Sequence, residues 1–214
     1  DEVDVAACVS CGIELVRRMT GGGTVVHGWD VTYAIVIPHG CGALPRDISA
    51  AYCVISDCLI KGLRWLGIDV QCQIEKQERE REAPADATNI CLTNPARYDI
   101  LLNGKKIAGV SQRRNQKGAM YQGYIALDMP PLDVLVHASK LPNFDRVAEG
   151  KSTAINIGRT IPIDRRQIEV AVASGFEMTL GTQWVEGELS SQEIESAERL
   201  ARTKYATTEW NFRR

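Results

Sequence analysis

No run of apolar residues in these 214 positions approaches the roughly 20 that a helix needs to cross a bilayer. No basic-then-apolar stretch stands at the start either, so no membrane partner is expected. An excess of one charge is also missing: 25 basic and 27 acidic side chains leave a formal net charge of −2. A general nucleic-acid binder would carry a basic surplus, and the four tryptophans lack the spacing of a stacking platform, so no nucleic acid is expected. Neither a GxxxxGK[ST] nor a GxGxxG phosphate loop occurs, and nothing repeats at a period of about 20 to 50 residues. Cysteine is odd in number, seven, all between Cys8 and Cys91. The Cys8–Cys11 pair has no further ligands at zinc spacing, so no metal is expected and the two read as packed or idle thiols. Reduced thiols in a cytoplasmic protein are the expectation, rather than a disulfide framework.

What is present suits one globular domain. With 44% hydrophobic residues the chain can bury a core, and its pattern alternates hairpins with helices, which points to α+β. Residues 2–13 read as a short helix stopped by Gly12, residues 14–19 as a strand, and residues 24–38 as two strands around a His-Gly-Trp-Asp turn. Residues 47–67 carry apolar side chains at helical spacing. Residues 68–74 and 90–92 read as strands, with the charged stretch 75–88 between them as a solvent-facing loop. Asn103-Gly104 between apolar runs marks a hairpin, and a further strand follows in "GAMYQGYIALDM". After Pro131 helices are expected at "LDVLVHAS", 164–181 and 190–205, the last capped by Ser190 or Ser191 with Glu193 or Glu195 nearby; a strand is expected at 182–189.

The candidate chemistry begins at "LVRRMTGGGTVVHGWD", where Arg17 and Arg18 run into Gly21, Gly22 and Gly23. Glycines allow close backbone approach, and free N–H groups beside arginines can cradle an anionic or carbonyl-bearing ligand. Such a run serves equally well as a tight connection. Its company decides the reading. "RRMTGGGTVVH", then "GKKIAGVSQRR", then "QGYIALD", together resemble the lipoate–protein ligase A and octanoyltransferase family, and "KYATTEWNFRR" resembles the terminal Trp-Asn-Phe pattern of its octanoyltransferase branch. The resemblance implies the biotin/lipoate protein ligase-like catalytic domain: mostly antiparallel or mixed sheet, flanked by helices and crossed by an acyl tunnel. It implies a substrate-binding set of Arg18, Gly21, Gly22, Gly23, His27 on the adjacent strand, Gly109, Gln122 and Gly123, with Lys106 turned toward the acyl carbonyl. Taken alone, Lys106 reads as a solvated hairpin lysine like Lys105.

The branch turns on "ICLTNPARYDI". Cys91 stands where the cysteine-dependent octanoyltransferases keep a nucleophile, with Pro95 and Tyr98 at the matching spacing; by itself it reads as a buried strand cysteine, like Cys72. A thiolate can take an acyl group from a carrier thioester and pass it downhill to a lysine amine without ATP, and Lys106 nearby would favour that thiolate. The implied partners are acyl-carrier protein and a lipoyl-accepting protein, either the glycine-cleavage H protein or a dehydrogenase E2 lipoyl domain. Arg113, Arg114 and Lys117, with Arg17 and Arg18 nearer the mouth, are expected to form a basic patch for the acidic carrier. No cofactor is implied; ATP with magnesium would belong to the alternative, an ATP-dependent ligase, and a non-catalytic binding subunit is the third class. Two departures stand out. Gln122 replaces the family's usual histidine and cannot titrate near neutral pH. The family's domain also opens with a helix and strands ahead of the point matched by Asp1, so residues 1–214 are expected to form a single domain lacking its N-terminal segment. His39 and His137 have no clustered partners, and no site role is expected of them.

Overall fold

Asp47 opens the longest amphipathic stretch by accepting a hydrogen bond from Ala50 N, and the helix it caps, α2, runs Ile48–Trp65. It buries Ala51, Ile55, Cys58, Leu59 and Leu63 along one stripe. The computed structural model that shows this describes residues 3–74, 95–138, 140 and 152–213. Before α2 lie α1, Val5–Ser10, and β1, Asp30–Pro38. After it come β2, Val70–Cys72, β3, Ile100–Leu102, β4, Lys105–Asn115, and β5, Gly118–Ala126. Three helices follow: α3, Leu132–Ala138, α4, Arg165–Leu180, and α5, Ser191–Leu200. The last of these runs into a π-helical turn, Ala201–Tyr205, before the short α6, Thr208–Asn211.

The strands form one antiparallel sheet in the order β1-β5-β4-β3-β2. Asn103 and Gly104 both take positive φ, 51° and 76°, as a two-residue turn between right-twisted strands demands. Residues of β5 alternate between two cores: Tyr121 and Ile125 join α2 and α4, while Tyr124 and Ala126 join Leu135 of α3 and Ala154. The expected α+β architecture, antiparallel sheet with flanking helices, is the one observed. No helix among the described residues is long and apolar enough to cross a membrane.

Several expectations need correction. Residues 14–19 form no strand; their backbone groups are bound by side chains of Arg113, Trp210 and Asn211 instead of a neighbouring ladder. Of the first strand expected within 24–38, only an isolated bridge at Thr24 exists, because Gly28 at φ 122° and the Asp30 carboxylate turn the chain before it can pair. Residues 182–189 likewise form no strand: Trp184 folds back on α4, donating from its backbone N to Glu177 and from its indole to Ala173 O. Cys72 is only half-buried. The loop expected at 75–88 and the strand expected at 90–92 lie outside the described residues. So does the side chain of His137.

Helices α2 and α4 meet without side chains between their backbones at two points. A Cβ on Gly62 would overlap the Ala171 carbonyl, and one on Gly175 would overlap the Cys58 carbonyl and stand 2.7 Å from Gly62 N. The two backbones pack directly against each other. Gly175→Ala should therefore destabilise the protein by about 1–3 kcal/mol, overpacking outweighing alanine's better helix propensity. Urea denaturation checks this; a raised midpoint would show that the helices can part freely.

Candidate active site

A β-bulge decides which of two adjacent lysines enters the protein. Ile100 pairs with Ala108, but Leu101 pairs with Lys106 and Leu102 with Lys105, so Ile107 has no partner across the ladder. The extra residue changes the strand's phase. Lys106 therefore shares a face with Gly109 and Ser111, whereas strict alternation would have placed it with Ala108 and Val110. The side chain is 2% exposed, and its Nζ lies 2.6 Å from Asp99 Oδ2. The ammonium also stands 5.9 Å from the centre of the Tyr124 ring.

Asp99 is delivered by an unusual lead-in. Tyr98 holds φ at 74°, a conformation that side chains rarely adopt, and its carbonyl accepts from Ser56 Oγ of α2 at 2.7 Å. The Tyr98 ring stacks on Tyr52 at 6.3 Å between centroids. Ala96 N donates to Asp99 Oδ2 at 2.6 Å. Gly109 leaves room for the pair: a Cβ there would lie 2.8 Å from Asp99 Oδ1 and 3.0 Å from Lys106 Nζ. Burial pushes the Asp99 carboxyl above its ordinary range, with Lys106 and the hydrogen bonds offsetting part of that rise.

Beside this pair opens a cavity of about 500 Å³, within the range of small-ligand sites. Its walls come from the Arg18–His27 loop, β1, the 96–99 lead-in, β4 and β5. The cavity brings together Arg18, Gly22, Gly23, His27, Lys106, Gly109, Gln122 and Gly123 of the sequence-derived set. Gly21 is not among the lining residues: it is exposed, and a Cβ there would meet open space. Cys91 lies outside the described residues. His27 sits in a turn rather than on a strand, its Nδ1 2.6 Å from Asp30 Oδ2 and its ring edge-on to Tyr124.

Arg18 reaches inward, donating from NH1 to Thr20 Oγ1 and Ser111 Oγ and from NH2 to Gly23 O. Gly22, at φ 101°, has no room for a Cβ beside that guanidinium. Thr20 in turn donates to Gln122 Oε1 at 3.2 Å, so Gln122 is tied to the arginine network through its amide oxygen. A Cβ on Gly123 would overlap the Tyr33 ring. The Tyr33 hydroxyl is buried with no hydrogen-bond partner among the described residues, and burial, then the Asp99 charge, push its ionisation far up. It keeps its proton and stays sealed in the wall behind Gly123. The arrangement offers hydrogen-bond donors and one buried ammonium around an apolar slot, which suits a carbonyl-bearing chain. Among the described residues, no group of three or more His, Cys, Asp or Glu side chains is gathered to hold a metal.

Asp99, Tyr33, Thr20 and Ser111 went unnoticed in the sequence. For Asp99 a signal existed, since a lone acid directly before the apolar run Ile100–Leu102 calls for a buried partner. The expected basic patch is also different. Arg113 donates to Met19 O, while Arg114, on the opposite face by strand alternation, donates to Tyr121 Oη, Gln112 and Arg46 O. Arg113 and Lys117 are exposed, but Arg114 is engaged internally.

Removing one partner of a buried ion pair leaves an uncompensated charge. Lys106→Met and Asp99→Asn should each cost about 3–5 kcal/mol, and the double variant far less than their sum. Because the Asp99 carboxyl is raised, its contribution to stability is complete below the ordinary carboxylate range and is lost as pH rises through its folded value. The double variant should lack that part of the pH dependence. Denaturant titrations across pH check both; additive single and double effects would refute the coupling.

The model of the lipoyl protein ligase A/B catalytic domain matches residues 1–176. Octanoyltransferase LipM of Anoxybacillus flavithermus is 36% identical over the whole of this chain and 79% of its own length. The Bacillus subtilis octanoyltransferase LipM is 32% identical with the same coverage. Among solved structures, a lipoate-protein ligase A bound with ATP has a TM-score of 0.76 at 24% identity, covering 99% of this chain and 76% of its own. A bi-partite lipoate protein ligase from Thermoplasma acidophilum gives 0.76 at 22%, over 98% and 74%. Those two share the fold. With its site assembled on that fold and its residues matched along most of its length, the chain belongs to the lipoyl protein ligase A/B catalytic domain family.

Proposed function

We propose that this chain is an octanoyltransferase of lipoate biosynthesis, moving an octanoyl group from acyl-carrier protein, through a thioester on Cys91, to a lysine of a lipoyl-accepting protein. The observation that carries it is the buried Lys106–Asp99 pair on the wall of a cavity with room for an eight-carbon chain. The names of relatives at 32–36% identity support the octanoyl group. Cys91 stands five positions before Ala96, which lines that cavity.

In the first step the Cys91 thiolate attacks the carrier thioester, forming the new C–S bond as the carrier thiolate leaves with the electron pair. In the second, the acceptor amine attacks the enzyme thioester; the C–N bond forms, Cys91 leaves as thiolate, and the amine's proton is released. Each step starts from an activated acyl group, so neither ATP nor another cofactor enters. Lys106 holds positive charge where the carbonyl oxygen gains negative charge, and the Arg18 network supplies donors along the slot. Gln122 orders that network and leaves proton transfer to other groups. Exposed Arg113, near the Met19 carbonyl, and Lys117 offer local positive charge to an acidic carrier; Arg114 is not part of that surface.

Competing cysteines are distinguishable. Burial pushes the Cys8 and Cys72 thiols up, and that of Cys58 up to about 11, leaving them largely protonated near neutral pH. Cys11, Cys41 and Cys53 are exposed, so an adduct must be located by peptide mapping. Incubation with octanoyl carrier protein should add one octanoyl unit on the Cys91 peptide, labile to hydroxylamine, and Cys91→Ser should abolish transfer. Lys106→Ala should lower kcat by about a hundredfold or more. An active Cys91→Ala chain that consumes ATP with free lipoate would replace this reading with a ligase.

A further inference from the structure

The catalytic-domain match ends at residue 176, yet the chain beyond it returns to the site. Residues 14–19 enter the glycine loop without strand partners, and distant side chains hold the residues on both sides of Arg18: the backbone of Arg17 and the side chain of Met19. Arg17 N donates to Asn211 Oδ1 at 2.7 Å, and the indole of Trp210 donates to Arg17 O at 2.7 Å. Arg17 Nε donates to the Asn211 carbonyl at 2.9 Å. On the other side of Arg18, the Tyr205 hydroxyl donates to Met19 Sδ at 3.5 Å.

The tail holds its own shape for this task. Thr207 caps α6, Asn211 Nδ2 donates back to Tyr205 O at 2.9 Å, and Tyr205 meets Trp210 edge-on at 5.4 Å. The Trp210 ring lies between two cations, Lys204 at 4.1 Å and Arg213 at 3.5 Å from its centre. Tyr205, Thr207, Trp210 and Asn211 are thus spent on the turn's own geometry or on Arg17 and Met19.

From this geometry we infer that Trp210 and Asn211 are positioning residues: they latch the backbone of Arg17 so that the neighbouring Arg18 guanidinium stays on the cavity wall, and so set the affinity for the acyl group. The latch touches no reacting atom. Its effect on transfer rests on the function proposed above, but its effect on the cavity does not.

The test uses the full chain with three substitutions. Trp210→Phe keeps an aromatic face between the cations and loses the bond to Arg17 O. Asn211→Ala loses both side-chain bonds, and Asn211→Asp keeps the acceptor for Arg17 N. Three quantities are read: amide hydrogen exchange of residues 15–24, KM and kcat for octanoyl carrier protein, and the Kd for octanoic acid by calorimetry. Trp210→Phe and Asn211→Ala should speed exchange of that segment and raise KM and Kd roughly fivefold, with kcat changed less than about twofold; Asn211→Asp should recover most of the affinity. Unchanged exchange, or faster exchange with KM and Kd unmoved, overturns the latch. If the unsubstituted chain transfers no octanoyl group, the transferase reading fails while octanoic acid binding still decides the latch. A chain that neither transfers nor binds overturns both.

Discussion

A carboxylate and an ammonium held 2.6 Å apart in the interior set the terms for the rest of the site. Neither ion is tolerable there alone, so the structure around them must deliver both at once. The bulge at Ile107 turns Lys106 inward, the left-handed Tyr98 brings Asp99 to meet it, and Ser56 of α2 fixes that lead-in to the helical layer. Gly109 is the space the pair occupies. Helix α2 thus does more than cover the sheet; through a single hydroxyl it links the apolar core to the charged site. The close crossing at Gly62 and Gly175 fixes α2 in turn against α4.

Glycine has two separate uses in this molecule. In the Asn103-Gly104 turn and at Gly22 it supplies a backbone conformation that other residues resist. At Gly62, Gly109, Gly123 and Gly175 it supplies an absence of volume, and what fills each gap differs: a backbone carbonyl at the helix crossing, an ion pair at Gly109, a tyrosine ring at Gly123. The second use leaves no mark in local sequence, because the occupant comes from elsewhere in the chain.

That difference explains what could be read beforehand. Elements fixed by local chemistry were legible: α2 from its apolar spacing, α5 from the serine and glutamate at its start, and the β4 hairpin from Asn-Gly; the structure adds the Asp47 and Asp164 caps and the left-handed Gly181. Residues 14–19 and 182–189 misled because their composition is strand-like while their partners are single side chains, some of them about 190 residues away. The loop-and-lysine constellation came from the family resemblance, not from pattern, and it named eight of the seventeen residues that line the cavity. It missed Asp99, whose place before an apolar run was a signal left unread, and Tyr33 and Ser111, whose importance appears only when strand register is known. It also grouped Arg113 with Arg114, which strand alternation sends to opposite faces.

The π-helical turn at Ala201–Tyr205 gives the tail its aim. A π turn holds one more residue than an α turn over the same span, and such insertions persist where an altered helical phase is useful. Each residue of an α-helix advances the chain by about 100°. Losing one residue from this turn would leave the helix intact, arguably smoother, while swinging everything after it through more than a quarter of a circle. Tyr205, Trp210 and Asn211 would then face away from residues 17–19 with every hydrogen-bonding group unchanged. The spacing between helix α5 and the terminal turn is accordingly under tighter constraint than the identities of the exposed residues along it: substitution there is cheap, and a shift in length is not.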